Sequence, residues 1–272
     1  MTAFIADEQH GGFSHVDIKS GDNSYLCLPC QNLVIAAGLW SDTIFSQLFP
    51  SSPITLQLAK KQPAQDWVRF TPSNASDSHQ PEDADDISQQ VFLGPALPEN
   101  EDIHFSSDYK GAIYAAGKIL DSDPPFSLPE NVKMDPMSFE ELKNLSARYL
   151  RPKEAASYEI LDYGRAYLPR TVNDLPIIIK LRRKDLDGSS VVDGKEAKGG
   201  VFLNFGHYLD GFTLGPGSGK VMSELIRGVE TSIDLTPFEL NSLCVTSVSE
   251  SRFPRGQKIF LMAKFGVNII EM

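Results

Sequence analysis

The stretch Leu33-Val-Ile-Ala-Ala-Gly38-Leu-Trp40-Ser41 indicates the fold class of this chain. Its first five residues form a continuous apolar run, which is typical of a short strand buried on both faces. Gly38 ends the run, and Ser41 is predicted to cap a helix that stops before Pro50. One side of that helix carries apolar residues: Trp40, Ile44, Phe45 and Leu48. Strand, glycine turn and helix in this order predict an α/β layer.

A second stretch, Gly206-His-Tyr-Leu-Asp-Gly211-Phe-Thr-Leu-Gly215-Pro-Gly-Ser-Gly219-Lys220, has the same arrangement. It follows a predicted strand at Val201–Phe205 and precedes a predicted helix at Pro216–Arg227, which Gly228 would stop. Glycine lets a backbone approach a ligand closely, and the free N–H groups of a helix start favour an anionic group. Two such junctions predict a large cofactor at the carboxyl ends of parallel strands, with two ordinary tight turns as the alternative.

Alternation of apolar and polar residues predicts strands over much of the remaining chain. Residues 1–32 are predicted to form a hairpin around Ser20-Gly-Asp-Asn23. Further strands are predicted at Ile54–Leu58, Trp67–Phe70, Gln90–Leu93, Ala112–Ala116, Tyr158–Asp162 and Leu175–Leu181. Ser138 and Glu141 form a capping box that predicts a helix over 138–150, and residues 182–200 are predicted to be a loop.

The chain has 272 residues, with 25 Lys and Arg against 36 Asp and Glu, and a net charge of −11. This balance argues against a nucleic-acid partner, which needs a clustered basic face. Five of the acids lie in 71–86, which is predicted to be a disordered loop. No apolar run approaches the ~20 residues of a membrane helix, so we predict no membrane span and a cytoplasmic protein. Cys27 and Cys30 have C-x-x-C spacing, but no second Cys or His pair completes a zinc site, and the histidines show no metal-ligand spacing, so no metal is predicted.

Four segments resemble, in order, those of FAD-dependent oxidoreductases of the D-amino-acid oxidase and glycine/sarcosine oxidase superfamily. Residues 33–41 resemble its Ala-Ala-Gly-x-Trp-Ser motif, and residues 111–117 resemble a glycine-flanked strand at the edge of its substrate domain. Residues 167–178 are similar to its Arg-Pro-x-Thr-x-Asp-Gly-x-Pro-Ile-Ile segment. Residues 206–228 match its closing Gly-His…Gly-Phe-Thr-Leu-x-Pro-x-x-Gly-Lys signature. The ordered set covers about residues 14–228.

The resemblance implies a mixed α/β fold with two domains. Residues 1–53 and 175–238 would form an incomplete FAD-binding domain of the glutathione-reductase-like Rossmann type. Residues 54–174 would form an antiparallel-sheet substrate domain, and residues 239–272 would be an unrelated tail. The implied cofactor-binding residues are Ala36, Ala37, Gly38 and Trp40 along the FAD, and Gly206, His207, Gly211, Phe212, Thr213 and Leu214 near the flavin ring.

The resemblance also implies a small-molecule amine or amino-acid substrate, whose C–N bond would be oxidised by hydride transfer to the flavin. No protein acid or base is strictly required for that step, so no catalytic residue is assigned. Tyr114 and Arg170 are candidates for the substrate pocket. Arg170 lies two residues after Leu168, which stands where many members have a carboxylate-binding arginine, and a surface arginine is the alternative.

One family element, the G-x-G-x-x-G turn that binds the FAD pyrophosphate, does not occur before Gly38. We therefore expect a shortened family member, and two functions stay open. The chain is either an FAD-dependent oxidoreductase, or a non-catalytic remnant or interaction protein of the same fold that does not hold FAD. His207 likewise has two interpretations, as a flavin contact or as a histidine hydrogen-bonded within its turn.

Overall fold

The computed structural model describes residues 3–7, 12–19, 24–56, 58–72, 90–93, 103–107, 112–123, 129, 132–150, 158–187 and 199–240. The strands are β1 (Ala3–Asp7), β2 (Gly12–Lys19), β3 (Tyr25–Pro29), β4 (Asn32–Ile35), β5 (Gln62–Pro72), β6 (Gln90–Leu93), β7 (Ile103–Ser107), β8 (Ile113–Ser122), β9 (Tyr158–Tyr167), β10 (Ile177–Lys180) and β11 (Gly200–Phe205). The α-helices are α1 (Ser41–Leu48), α2 (Pro136–Tyr149), α3 (Arg183–Asp187) and α4 (Gly211–Arg227). Most of the predicted acidic loop, 73–86, and the tail from 241 lie outside the described residues.

The amino-terminal sheet is an antiparallel meander in the order β1-β2-β3. The predicted hairpin is confirmed, since β2 pairs with β3 in a register that places Asp17 opposite Cys27. Val16 is buried in the main hydrophobic core, and Ile18 packs against it. Because side chains alternate along a strand, His15 and Asp17 lie on the opposite, outer face of β2.

The second sheet joins strands from both ends of the chain in the order β10-β11-β4. Its central strand β11 runs parallel to β4 and antiparallel to β10. Helix α1 covers one face through Phe45 and Leu48, and α4 covers the other through Val221 and Met222. The prediction that the first strand is buried on both faces is wrong, because β4 lies at the sheet edge and leaves Val34 37% exposed.

The third sheet is fully antiparallel, in the order β6-β7-β8-β5-β9. Helix α2 packs on one face, where Leu142 meets Val68 and Phe70. The sequence analysis missed β7, which pairs with both β6 and β8. Strand β8 contains most of the 111–117 segment and lies between β7 and β5 in this sheet; its predicted place at the edge of a substrate domain stays a prediction.

The mixed sheet with a helix on each face, together with the two antiparallel sheets, confirms the predicted mixed α/β class. The prediction of a strand at Ile54–Leu58 is wrong: within the described part of this segment, Leu58 makes only an isolated bridge to Thr171. Leu56 is nevertheless buried in the core, which accounts for the apolar pattern. The assignment of residues 1–53 plus 175–238 to cofactor binding, and of 54–174 to substrate binding, stays a prediction.

Three predicted helix starts also differ from the structure. Trp40, not Ser41, caps α1, and Ser41 Oγ instead accepts a hydrogen bond from the N–H of Ala37 at 3.1 Å. Helix α2 begins at Pro136, because Asp135 Oδ1 accepts from the N–H of Met137 at 2.7 Å. Helix α4 begins at Gly211, five residues before its predicted start. Arg183–Asp187, predicted as loop, forms the short helix α3.

Among the described residues, every helix is too short or too polar to cross a bilayer. The cytoplasmic location stays a prediction.

Glu224, near the carboxyl end of α4, makes hydrogen bonds that can be tested through their dependence on pH. Its carboxylate accepts hydrogen bonds from Lys220 Nζ at 2.8 Å and from the N–H of Ser232 at 2.8 Å, which lower its pKa to about 2. Because the folded pKa lies below that of the unfolded chain, the stabilisation is present above about pH 4.5 and is lost as the pH falls towards 2. Glu224→Gln is therefore expected to lower the melting temperature at pH 6 and to have a shrinking effect below pH 4. A difference between wild type and variant that does not change over pH 6 to 3 would contradict this assignment.

Candidate functional site

The first glycine junction follows the carboxyl end of β4. Ala36 and Ala37 lead to Gly38, whose φ of +56° opens a short 3-10 turn before α1. This left-handed conformation favours glycine over residues with a side chain. A Cβ atom at Gly38 would also lie 3.1 Å from Pro169 Cγ, so the turn passes close to the segment that follows β9.

The second glycine junction follows the carboxyl end of β11. Gly206 has a φ of +85°, and a Cβ atom there would lie 2.5 Å from Thr171 Cγ2. The next residue, His207, forms an isolated antiparallel bridge with Arg170. The N–H of Tyr208 donates to the carbonyl of Pro169 at 3.0 Å.

Both junctions therefore lie against one stretch, Pro169-Arg170-Thr171, which we name the bridging segment. The first junction passes close to Pro169, and the second approaches all three residues. Strands β4 and β11 are parallel neighbours, so their carboxyl ends lie at one edge of the sheet. The structure thus brings Ala36–Gly38 and Gly206–His207 together at this edge, as the sequence analysis expected for one cofactor. The bridging segment itself was not predicted as the connection between them.

A buried glutamine holds the bridging segment in place. Gln62 is fully buried, and its Oε1 accepts the N–H of Arg170 at 2.7 Å. Its Nε2 donates to the carbonyls of Arg170 at 2.9 Å and Ala59 at 2.7 Å. The side chain therefore pairs with the backbone of Arg170 as a neighbouring strand would. The sequence analysis missed Gln62, because nothing local distinguishes it from other glutamines in a strand.

The guanidinium of Arg170 lies beside the second junction and already has partners. It approaches Asp121 at 3.3 Å and Asp174 at 3.8 Å, and it lies over the ring of Tyr208 at 5.9 Å. The side chain is 26% exposed, so it is neither a freely solvated surface arginine nor a fully buried one. Two carboxylates compete with any substrate carboxylate for this cation.

The other predicted pocket residue, Tyr114, lies in β8 on the sheet face opposite α2. Its ring stacks on Trp67 at 5.5 Å and lies 6.0 Å from the ring of His104. Burial raises the pKa of the Tyr114 hydroxyl, which therefore stays protonated at neutral pH. Arg170 pairs with Asp121, seven residues further along β8, so about 20 Å separates the two candidates. A small amino acid cannot contact both.

The amino-terminal half of α4 presents bare backbone to solvent. Cβ atoms at Gly215, Gly217 and Gly219 would meet nothing within 4 Å. Phe212 is fully exposed, and Leu214 is also exposed. The first-turn N–H groups lack intrahelical acceptors and carry the positive end of the helix dipole.

His207 connects the second junction to this helix. Its Nε2 lies 2.8 Å from the hydroxyl of Ser218, which is buried in α4. Burial lowers the pKa of the imidazole below 6.5, so His207 is neutral at neutral pH. His207 is hydrogen-bonded, but to Ser218 of α4 and not within its own turn as one interpretation had it, and its predicted contact with a flavin stays a prediction.

The lowered pKa predicts how stability responds to pH. As the pH falls below about 6.5, the unfolded chain binds a proton at this histidine before the folded chain does. The free energy of unfolding therefore decreases as the pH decreases. His207→Gln removes that titration and keeps a polar side chain. We expect the wild type to lose stability relative to this variant between pH 7 and 5, measured by denaturant unfolding. An equal loss in both proteins would contradict a buried neutral imidazole.

The comparisons with known proteins identify the family of this chain. The model of the FAD dependent oxidoreductase family matches residues 4–225. The chain belongs to this family. Among solved structures, the fold resembles glycine oxidase from Geobacillus kaustophilus, with a TM-score of 0.53 and 17% identity over 87% of this chain and 50% of that one. It also resembles L-proline dehydrogenase from P. horikoshii, with a TM-score of 0.55 and 13% identity over 88% of this chain and 52% of that one.

Identities of this size show a shared fold and nothing finer. The chain spans about half the length of these two proteins. Substrate, electron acceptor and partners are therefore not given by the comparisons.

The residues at the two junctions fit an FAD of this family. Both turns offer backbone rather than side chains, and the bare helix start offers N–H donors to an electron-rich ring edge. At the same sheet edge, the buried Oδ1 of Asn204 accepts no hydrogen bond from the described residues. A ligand N–H group would satisfy it. The sequence analysis missed Asn204, since a buried acceptor is visible only from its surroundings.

A third group of reactive side chains lies away from these junctions, on the outer face of the β2–β3 hairpin. Ligand atoms of His15, Asp17 and Cys27 all lie within 4.8 Å of one another. Partial desolvation and the negative charge of Asp17 raise the pKa of the exposed Cys27 thiol. Spacing along the sequence does not reveal this group, because its members come from two different strands.

Proposed function

We propose that this chain is part of an FAD-dependent oxidoreductase that oxidises the C–N bond of a small amine or amino acid. The observation that carries the proposal is the closure of both glycine junctions on one bridging segment, at the carboxyl ends of two parallel strands. Membership of the family supports it further. FAD, when bound, would supply the two-electron acceptor for the oxidation.

The residues proposed to hold FAD act mainly through their backbone. Ala36, Ala37, Gly38 and Trp40 would lie along the cofactor at the first junction. Gly206 and His207 would lie near its ring, followed by the first turn of α4, which comprises Gly211, Phe212, Thr213 and Leu214. The positive end of the helix dipole would stabilise negative charge there.

The substrate must contact the flavin ring, which is proposed to lie near Gly206 and His207, so we expect it to bind beside the second junction. Tyr114, one of the two pocket candidates, lies about 20 Å from Arg170 and is too far along β8 to contact a small substrate bound there. Arg170 is the second candidate, at the opposite end of β8. Since it is already paired with two carboxylates, we expect it to position the bridging segment rather than to bind the substrate.

A second function is favoured by one specific observation. Among the described residues, the engagement of Arg170 by Asp121 and Asp174 leaves no free guanidinium beside the junctions for a substrate carboxylate. A non-catalytic or interaction protein of the same fold, without bound FAD, would be consistent with that arrangement.

Flavin content separates the two functions. The purified full chain is expected to show a flavin absorption spectrum, to release FAD on heating and to gain thermal stability from added FAD. Under anaerobic conditions, one member of a panel of small amines and amino acids is expected to bleach that spectrum. A colourless protein without stabilisation by FAD would favour the non-catalytic function.

A matched pair of variants locates the cofactor on α4. Gly215→Glu places a carboxylate on the bare helix start, whereas Ser223→Glu places one on an exposed position of the same helix. We expect the first variant to lower FAD content at least tenfold and the second to leave it unchanged. An equal FAD content in both variants would contradict binding at the helix start.

A further inference from the structure

We propose that His15, Asp17 and Cys27 form a binding site for a zinc-type divalent metal ion on the outer face of the β2–β3 hairpin. One imidazole nitrogen, one carboxylate oxygen and one thiol sulfur converge there within 4.8 Å of one another. Histidine Nε2 and aspartate Oδ1 are 3.9 Å apart. The site is independent of the glycine junctions and of the proposed oxidoreductase function.

The convergence follows from the geometry of the hairpin. His15 and Asp17 are two positions apart in β2, so their side chains leave the same face. Cys27 lies directly opposite Asp17 on β3, where cross-strand Cβ atoms are about 5 Å apart. The opposite face is fixed by Val16, which is buried in the main core. The three ligands therefore project from a backbone held by antiparallel pairing on both sides of β2.

The ligand set selects the class of metal. Thiolate, imidazole and carboxylate together suit a borderline ion such as Zn²⁺, whereas Mg²⁺ and Ca²⁺ prefer oxygen ligands alone. Bonds of 2.0–2.3 Å in a tetrahedral site place ligand atoms about 3.3–3.8 Å apart. The ligand atoms must therefore approach one another by about 1 Å. Rotation of the partly exposed side chains can bring them together. Three protein ligands leave the fourth position to water.

The neighbouring thiol of Cys30 is not part of this site. It lies three positions after Cys27, just beyond the end of β3, and its surroundings differ from those of Cys27. Cys30 packs against the main core, and Cys27 is exposed. Cys30 thus provides an internal control within the same hairpin.

Metal protection of the Cys27 thiol from alkylation tests the proposal without reference to flavin. The full chain is treated with iodoacetamide without metal, with Zn²⁺ or with Mg²⁺. The alkylated fraction at each individual cysteine is quantified by mass spectrometry. We expect Zn²⁺ to slow alkylation of Cys27 about tenfold or more, because a bound thiolate is no longer a free nucleophile. Mg²⁺ should have no effect, and neither metal should slow alkylation of Cys30 by more than twofold.

The ligand variants His15→Gln and Asp17→Asn are each expected to abolish most of this protection. Isothermal titration should show one Zn²⁺ per chain for the wild type and for Cys30→Ser, and at least tenfold weaker binding for Cys27→Ser. Circular dichroism establishes that each variant is folded. Unchanged alkylation of Cys27 in Zn²⁺, or protection that persists when His15 and Asp17 are both replaced, would overturn the proposal.

Discussion

Gly206→Ala is expected to lower the free energy of unfolding by about 2–5 kcal/mol. A side chain at a φ of +85° costs roughly 1–2 kcal/mol, and a new methyl group in a packed site adds about 1–3 kcal/mol. The added Cβ would lie 2.5 Å from Thr171 Cγ2, so either the Thr171 side chain or one of the two backbones must shift. Denaturant unfolding of wild type and variant measures the difference.

Two further variants separate the clash from the backbone strain. Thr171→Ser removes the Cγ2 methyl and keeps the hydroxyl that donates to the carbonyl of Leu175 at 2.6 Å. We expect the Gly206→Ala, Thr171→Ser double variant to be more stable than the sum of its single effects by about 1 kcal/mol or more. If the changes in the free energy of unfolding of the two single variants were strictly additive, a steric clash between the two residues would be contradicted.

Gly215→Ala is the matched control for Gly206→Ala. This residue lies inside α4, and a Cβ atom there would meet nothing within 4 Å. The same substitution should therefore stabilise the protein by about 0.5–1 kcal/mol, since alanine favours the helix. Opposite signs at Gly206 and Gly215 would establish that the second junction depends on a special backbone position and not on glycine content.

The fold class was predictable because its signals are local. Alternation indicated β5 and β9, and a continuous apolar run indicated β4. The start of α4 was not predictable in the same way, because a segment with glycines at 211, 215, 217 and 219 has low helix propensity. Contacts of Ser218 and Val221 on the inner side of the helix outweigh that propensity.

The site was predictable only where the residues act through their own backbone. Gly38 and Gly206 are recognisable in the sequence, because a turn after a buried strand needs glycine. The bridging segment between them is not recognisable in the sequence, since Gln62 and Arg170, whose hydrogen bonds hold it in place, are separated by 108 positions. The same limit hid the hairpin cluster, whose ligands become neighbours only through the pairing of β2 with β3.

The second large effect is expected at Gln62, which tests whether the bridging segment depends on that one side chain. Gln62→Leu keeps an apolar body of similar size but leaves the N–H of Arg170 without its acceptor. A buried unsatisfied group costs about 1–3 kcal/mol, and the two lost donations to carbonyls add to it, so we expect a loss of about 2–4 kcal/mol. Thermal and denaturant unfolding measure this loss.

The control for Gln62 lies in the same strand. Gln65 makes one side-chain hydrogen bond, from Nε2 to the carbonyl of Gly117 at 2.9 Å, so Gln65→Leu is expected to cost about 1 kcal/mol. Gln62→Glu gives a sharper comparison, because a carboxylate still accepts the N–H of Arg170 but faces two carbonyls to which it cannot donate. Protonation restores one donor, so this variant alone should gain stability relative to wild type as the pH falls from 7 to 5. If Gln62→Leu and Gln65→Leu lose equal stability, the bridging segment is held by its other contacts, and the two glycine junctions close without Gln62.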